Sequence, residues 1–251
     1  MSDHKQIVLE FIQKIRQRIP LNFTVLVREK TVSLLSEKFH VVFYHPQSVR
    51  LSNEIIRRTI HIDYDIVISS SEKLLARLES IFGFGNRIYA RDTVVARVDK
   101  KVALEFQEEH HLQLALPGKY RYGLYRQGEL VSIAVFSGGR KMNDTPLDYR
   151  SFELLRFCHK GSDIVIGGLS KLIKAFRKDF KPGDIMTYAD LDWCQDSTLE
   201  KIGFIPVQRT PPQLILVREG IRVFGKNIVV KDQKNDYWVE NNGSLKLKMI
   251  F

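Results

Sequence analysis

The sequence predicts an α/β protein with a mixed sheet. Short apolar runs of strand length alternate with segments whose apolar residues recur at helical spacing. The 251 residues are 44% hydrophobic, enough for one large core or two smaller ones. Glycine-containing turns between neighbouring strand-like runs add antiparallel hairpins to the pattern.

Residues 5–18 read as a helix, because Ile7, Val8, Phe11, Ile12 and Ile15 make one apolar face. Pro20 ends it. Phe23–Val27, His40–Tyr44 and Asp65–Ile68 read as strands, the second broken by His45-Pro46. Ser69-Ser-Ser-Glu72 is a polar cluster suited to cap a helix carrying Leu74, Leu75, Leu78 and Ile81, which Gly83 stops. These elements suggest a small α/β accessory module over residues 1–86, with Phe84–Arg87 as its boundary.

A second domain is expected over 87–225. Ile88–Val98 is strand-like, and Lys100–His110 is helical with Val102, Ala103 and Phe106 on one side. Tyr120–Tyr125 and Leu130–Phe136 are strands joined by Arg126-Gln-Gly-Glu129. Phe152–Cys158 is another strand. Residues 167–180 give the clearest helix, with Leu169, Leu172, Ile173 and Phe176 on one stripe and Lys171, Lys174, Arg177, Lys178 and Lys181 on the others. Then come a strand at Asp184–Tyr188, a short helix at Ser197–Ile202 stopped by Gly203, a strand at Phe204–Val207, and a hairpin from Leu214–Val217 to Ile221–Phe224. Residues 226–251 are expected to add a C-terminal hairpin, Asp236–Val239 with Leu245–Ile250, around Asn241-Asn-Gly243.

Composition narrows the function classes. No apolar run approaches the roughly 20 residues of a membrane span, and the N-terminus lacks a charged-then-apolar signal pattern, so a cytoplasmic location is the default. Cys158 and Cys194 sit at no metal-ligand spacing, so no metal site is expected from them. The net charge of +10 is spread over both halves of the chain. It suits a polyanionic partner such as nucleic acid, or equally a solvated lysine-rich surface. A PD-(D/E)xK nuclease in the first module would need an acid followed by an acid-x-Lys pair on the next strand. Asp63 and Asp65 begin such a set, but Glu72-Lys73 and Glu29-Lys30 have the wrong spacing.

The junction that carries chemistry runs from Phe152–Cys158 through His159-Lys-Gly-Ser-Asp163 to Gly167-Gly168, which opens a helix. A glycine pair at a helix start lets backbone N–H groups approach a phosphate, and the helix dipole favours an anion there. A tight helix–strand contact that only glycine permits explains the same residues.

Two stretches resemble the GNAT acetyltransferase superfamily. Gly167-Gly-Leu-Ser-Lys-Leu-Ile-Lys-Ala-Phe176 resembles its acyl-CoA pyrophosphate loop and following helix. Ser197-Thr-Leu-Glu-Lys-Ile-Gly-Phe204 resembles its LYEKLGF segment. The element order over residues 91–225 is similar too. A nearer likeness is to a group of phage and bacterial proteins, through Arg87-Ile-Tyr-Ala-Arg91, Glu109-His-His-Leu-Gln113, Tyr122-Gly-Leu-Tyr125, Phe152–Cys158 and Thr187-Tyr-Ala-Asp190. In some of these the domain follows a restriction-type or very-short-patch-repair-type nuclease domain, which implies a DNA setting.

The resemblance implies a GNAT-like acyl-CoA N-acyltransferase fold preceded by the small α/β module. It implies acetyl-CoA as cofactor, with the pyrophosphate at Gly167, Gly168, Leu169 and Ser170 and the pantetheine along Leu155 and Phe157. The acceptor would be an amine on a small molecule or protein. Acyl transfer to an amine needs a base and an acid. Glu153 and His111 (or His110) are candidates for the base or a proton relay. Tyr188 and Asp190, at the carboxyl end of a strand, are candidates for the acid. The chain departs from the family in two places. Ile164, Val165 and Ile166 stand where the family carries Arg or Gln, leaving His159, Lys160 or Lys171 to supply charge. Leu199 stands where the family's general-acid tyrosine is found. The sequence thus supports an N-acyltransferase, or a non-catalytic GNAT-like module that binds DNA.

Overall fold

The computed structural model describes residues 3–52, 57–142, 146, 148–193, 198–223 and 236–251. The elements begin with α1 (Asp3–Arg18), β1 (Thr24–Val27), β2 (Thr31–Leu35), β3 (Phe39–Tyr44), β4 (Arg58–Asp63), α2 (Tyr64–Ser69) and α3 (Ser71–Phe82). They continue with β5 (Arg87–Tyr89), β6 (Val94–Arg97), α4 (Lys100–His110), β7 (Tyr120–Arg126), β8 (Glu129–Phe136), β9 (Arg140–Lys141) and β10 (Arg150–His159). The remainder are β11 (Ile164–Ile166), α5 (Gly168–Phe180), β12 (Asp184–Asp190), β13 (Ile205–Arg209), β14 (Leu214–Arg218), β15 (Ile221–Val223), β16 (Tyr237–Glu240) and β17 (Ser244–Ile250). Short 3-10 turns lie at Ala90–Asp92 and Glu200–Ile202. The architecture is α/β with a mixed sheet, as the alternating pattern predicts.

The chain divides into two compact units. The first takes in Met1–Leu75, Ala189–Ser197 and Arg209–Leu245. The second takes in Ala76–Tyr188, Thr198–Gln208 and Lys246–Phe251. Neither follows the expected segments of 1–86, 87–225 and 226–251. Residues near 86 form no free connector: Ile164 N–H donates to Asn86 O at 2.8 Å, and β5 pairs in parallel with β11.

In the first unit β1, β2, β3 and β4 form one sheet in chain order, antiparallel except for the parallel β3–β4 pair. The apolar face of α1 is buried, with Val8, Phe11, Ile12 and Ile15 at most 3% exposed. Phe11 meets the Phe43 ring edge-on, centroids 6.0 Å apart. Residues 40–44 are buried on both strand faces, which explains their unbroken apolar run. Asp65–Ile68 is helix rather than the expected strand; the strand precedes it at Arg58–Asp63. That strand, Arg-Thr-Ile-His-Ile-Asp, buries His61 and Asp63 among its apolar residues, so it shows no apolar run. A second sheet of this unit has the order β15-β14-β16.

In the second unit the central sheet has the order β13-β17-β12-β10-β8-β7-β6, with β9 pairing beside β10. The β7–β8 hairpin turns at Gln127 (φ 51°) and Gly128 (φ 83°), the left-handed pair that suits strand twist. α5 packs on one sheet face through an aromatic cluster. Phe176 stacks on Phe136 with centroids 4.0 Å apart and meets Phe152 edge-on at 5.1 Å. On another cluster, Ala103 and Phe106 of α4 pack with Val98, Ile133, Val135 and Cys158.

The expected C-terminal hairpin does not form. β16 pairs with β14, and β17 enters the central sheet between β12 and β13. The turn between them is held by other partners. Asn241 Oδ1 accepts from Gln213 N–H at 2.8 Å and from Gly243 N–H at 2.9 Å, and Gly243 has φ 75°. Turn residues alone signal a change of direction, but which strand each arm then pairs with is a tertiary choice.

Candidate functional site

The candidate site is a fork in the central sheet of the second unit. β10 and β12 pair in parallel from Ser151–Asp184 to Glu153–Met186. β10 then runs on to His159 and β12 to Asp190. Just past the last pair, Thr187 Oγ1 donates to Leu154 O at 2.9 Å, so a side chain takes over from the ladder. The register of β10 against β8 also shifts between Leu154 and Arg156, which makes Leu155 the extra residue of a bulge. A bulge bends its own strand and increases local twist. β10 is thereby turned off the line of β12.

The closed end of the fork is pinned by a buried carboxylate. Asp184 is 0% exposed and accepts from Ser151 Oγ at 2.5 Å, from Lys248 Nζ at 2.8 Å, and from the Tyr149 hydroxyl. The Asp184 carboxylate in turn raises the Lys248 ammonium and, after burial, the Tyr149 hydroxyl. Three strand-bearing segments thus converge on one charge.

A glycine corner opens α5, against the turn after β5, β7 and β11. Gly167 caps α5 in the left-handed region, φ 76°, where a side chain would be strained. A Cβ there would lie 3.6 Å from Ala90 Cβ. Gly168 has a different reason. A Cβ there would sit 3.1 Å from Leu124 Cδ1 and from Val165, so this glycine lets the helix approach the sheet. Leu169 and Ser170 continue the first turn of α5, partly exposed. The corner leaves backbone N–H groups at a helix start, the arrangement that attracts an anion.

The cations expected to supplement it are committed elsewhere. Lys171 Nζ donates to Ala90 O at 2.7 Å and to Thr93 O, tying α5 to the turn after β5. Lys160 pairs with Glu129. His159 Nδ1 lies 3.0 Å from Ser132 Oγ, and burial pushes its imidazole down to about 4, so it is neutral near pH 7. Arg91, part of the Arg87–Arg91 resemblance but not expected as an anion partner, is exposed on the turn that meets Gly167, 3.8 Å from Asp92 and with its guanidinium 5.0 Å from the Tyr89 ring centroid. The parallel β5–β11 pairing that brings this turn to the corner is invisible in sequence.

The candidate acid–base residues separate into two groups. Glu153 occupies the last paired position of the fork, with its N–H donating to Ser137 Oγ at 2.9 Å. Tyr188 lies two residues past Met186 on the other prong and is 45% exposed. Strand alternation puts Glu153, Met186 and Tyr188 on the same side of the sheet. His111 follows α4, and its Nδ1 accepts from Gln113 N–H at 3.0 Å. The loop after it is attached to the bulge by Arg156, whose Nε donates to Leu114 O at 3.1 Å. Asp190 falls in the first unit and caps its own turn, Oδ1 accepting from Asp192 N–H at 3.0 Å. Leu155 packs its side chain against the α4 cluster, so only its backbone is offered to the fork, while Phe157 lies edge-on to His159 at 4.8 Å. Burial pushes the Cys158 thiol up to about 12, which removes it as a thiolate nucleophile. Cys194 lies outside the described residues. A shallow depression lined by Asp99, Lys100, Lys101, Leu104, Glu105 and Glu108 shares no residue with the fork.

The first unit buries a separate charge network around Asp63 and Asp65. Arg50 grips Asp63 through two hydrogen bonds of 2.5 and 2.8 Å and reaches Asp192 at 3.1 Å. Arg222 donates to Asp63 at 2.6 Å and to Asp65 at 2.6 and 3.2 Å. Burial raises the Asp192 carboxyl to about 6. The two carboxylates that resembled the start of a nuclease set are therefore held by arginines.

No family model and no curated protein matches the chain. Solved structures do. A GNAT family acetyltransferase from Elizabethkingia anophelis with acetyl-CoA bound is 12% identical, with 64% of this chain and 99% of that chain covered and a TM-score of 0.36. The ribosomal-protein-S18-alanine N-acetyltransferase from Escherichia coli is 8% identical over 63% of this chain and 93% of that one, TM-score 0.38. Ard1 from Thermoplasma volcanium is 10% identical over 63% and 97%, TM-score 0.40.

Proposed function

We propose that the second unit binds acyl-CoA and transfers its acyl group to an amine. The observation that carries this reading is the fork, a parallel pair of three residues beyond which β10 and β12 part, in the same unit as a helix that starts on a left-handed glycine. The parted strands expose backbone groups that a pantetheine chain can hydrogen-bond, and the Gly167–Ser170 turn offers N–H groups to a pyrophosphate. Bound acyl-CoA supplies an activated thioester. In this reading Glu153 takes the amine proton, directly or through water, and Tyr188 gives one to the departing thiolate, the task Leu199 cannot perform. Asp190 and His111 already serve their own turns, so we assign them no step.

Thermal melting with millimolar acetyl-CoA tests the reading. A ligand at tenfold its dissociation constant stabilises by about 1.4 kcal/mol, a rise of roughly 3–6 °C for a protein of this size. The Gly167→Glu variant sets a carboxylate where pyrophosphate would sit and should lose the shift. Gly167→Asn, which tolerates the left-handed backbone, should keep most of it. No shift in the unaltered protein, or an undiminished shift in Gly167→Glu, refutes the assignment.

A further inference from the structure

The second unit carries exposed cations that form no ion pair among the described residues. Lys174, Arg177, Lys178 and Lys181 are all exposed. Their spacing along and just past α5 places them on one stripe, opposite the buried Leu172, Ile173 and Phe176. Two more lie at the same end of the sheet. Lys141 of β9 pairs with Arg150 of β10, and both are exposed. Arg150 is two residues before Phe152, so strand alternation turns Arg150 and its partner Lys141 to the face that α5 covers. Gly183 N–H donates to Arg150 O at 3.0 Å, which brings the end of α5 against them.

Two neighbouring carboxylates are engaged, while Asp148, two residues before Arg150, is exposed. Asp179 holds Arg97 at 2.9 Å and the Tyr122 hydroxyl at 2.5 Å. Asp184 is fully buried and holds Lys248. Among the described residues, Lys141, Arg150, Lys174, Lys178 and Lys181 form no ion pair, and Arg177 lies over the Phe251 ring at 4.8 Å. A helix C-terminus tolerates such cations because its dipole is negative there. The dipole does not require them to extend onto a neighbouring strand edge.

We propose that this surface binds the phosphodiester backbone of a nucleic-acid duplex. Charge complementarity is the first argument, since a duplex presents about one negative charge per 1.7 Å of axis. Residue type is the second. Lysine is depleted at protein–protein interfaces, whose cores need apolar or aromatic anchors, and this stripe has lysines at its centre. Single strands are gripped by exposed aromatic rings that stack on bases. Here Phe176 is buried in the core and Phe251 is overlaid by Arg177. The inference does not depend on acyl-CoA binding, because the glycine corner lies at the opposite end of α5.

The test is fluorescence anisotropy of the full chain with a labelled duplex of about 20 base pairs, over a range of salt. The comparison variant replaces Lys141, Arg150, Lys178 and Lys181 with glutamine, which keeps the side-chain stems. Removing four phosphate contacts should weaken binding at least about tenfold and make the log–log salt slope shallower by about 2–4. Lys100→Gln with Lys101→Gln, on α4, should leave both unchanged. Melting with acetyl-CoA, run in parallel, should be the same in all three proteins. Equal weakening in both variants, unaltered binding in the fourfold variant, tighter binding to polyglutamate than to the duplex, or tighter binding to an oligothymidine strand each overturns the proposal.

Discussion

Replacing Arg222 with methionine removes three hydrogen bonds at once, two to Asp65 and one to Asp63. Asp63 keeps Arg50, but the Asp65 side chain is 1% exposed and loses its only ion-pair partner among the described residues. Breaking a buried pair from one side leaves an uncompensated charge and costs about 3–5 kcal/mol. For a protein of this size that corresponds to a fall in melting temperature of about 10 °C. The assay is urea unfolding at pH 8. Adding Asp65→Leu should recover much of the loss, because the stranded charge is then gone. A loss below about 1 kcal/mol, or no recovery in the double variant, would show that these groups are hydrated and that the buried network does not hold the unit together.

Other outcomes follow from the same geometry. Asp192 in the folded state sits near 6, above its ordinary 3.8, so its contribution is present below about 4 and is lost as pH rises to about 6. His61 and His159 lie near 4, below their ordinary 6.5, so their contributions are present above 6.5 and are lost as pH falls toward 4. The two trends oppose each other, and Asp192→Asn should therefore steepen the acid-side loss in stability between pH 6 and 4; an unchanged profile counts against it. Gly168→Ala should cost about 1–2 kcal/mol by pressing a methyl against Leu124 and Val165, read from urea midpoints. Lys171→Met should cost about 1–2 kcal/mol by removing the ammonium donor from the Thr93 carbonyl, while Ala90 O keeps the Thr93 N–H and hydroxyl. If the unit transfers acyl groups, Glu153→Gln should lower acetyl-CoA-dependent thiol release with an amine acceptor by about 10²–10⁴, while the acetyl-CoA melting shift persists.

Periodic elements were legible where one rule governs them. The apolar stripe of α5, its glycine start and the β7–β8 hairpin all follow from local spacing and turn chemistry. β4 was not, because its buried His61 and Asp63 break the apolar pattern; they are tolerated only where Tyr44 and Arg50 meet them, the former 2.8 Å from His61. The candidate site was half legible. Gly167 and Gly168 could be named from sequence, but their separate reasons, a left-handed cap and a close helix approach, depend on Ala90, Leu124 and Val165. Lysines and histidines near the corner looked available to an anion until the fold engaged them with carbonyls, Glu129 and Ser132.

The sequence by itself determined which segments are helix or strand over most of the chain, the α/β class, and the excess of positive charge, because these depend on neighbours a few residues apart. Only the tertiary structure decided that β10 and β12 part after Glu153, that β17 enters the central sheet, that Arg222 meets Asp63 and Asp65, and which cations stay unpaired. Each of those depends on groups far apart in the chain meeting in space, and residue spacing carries no record of such meetings.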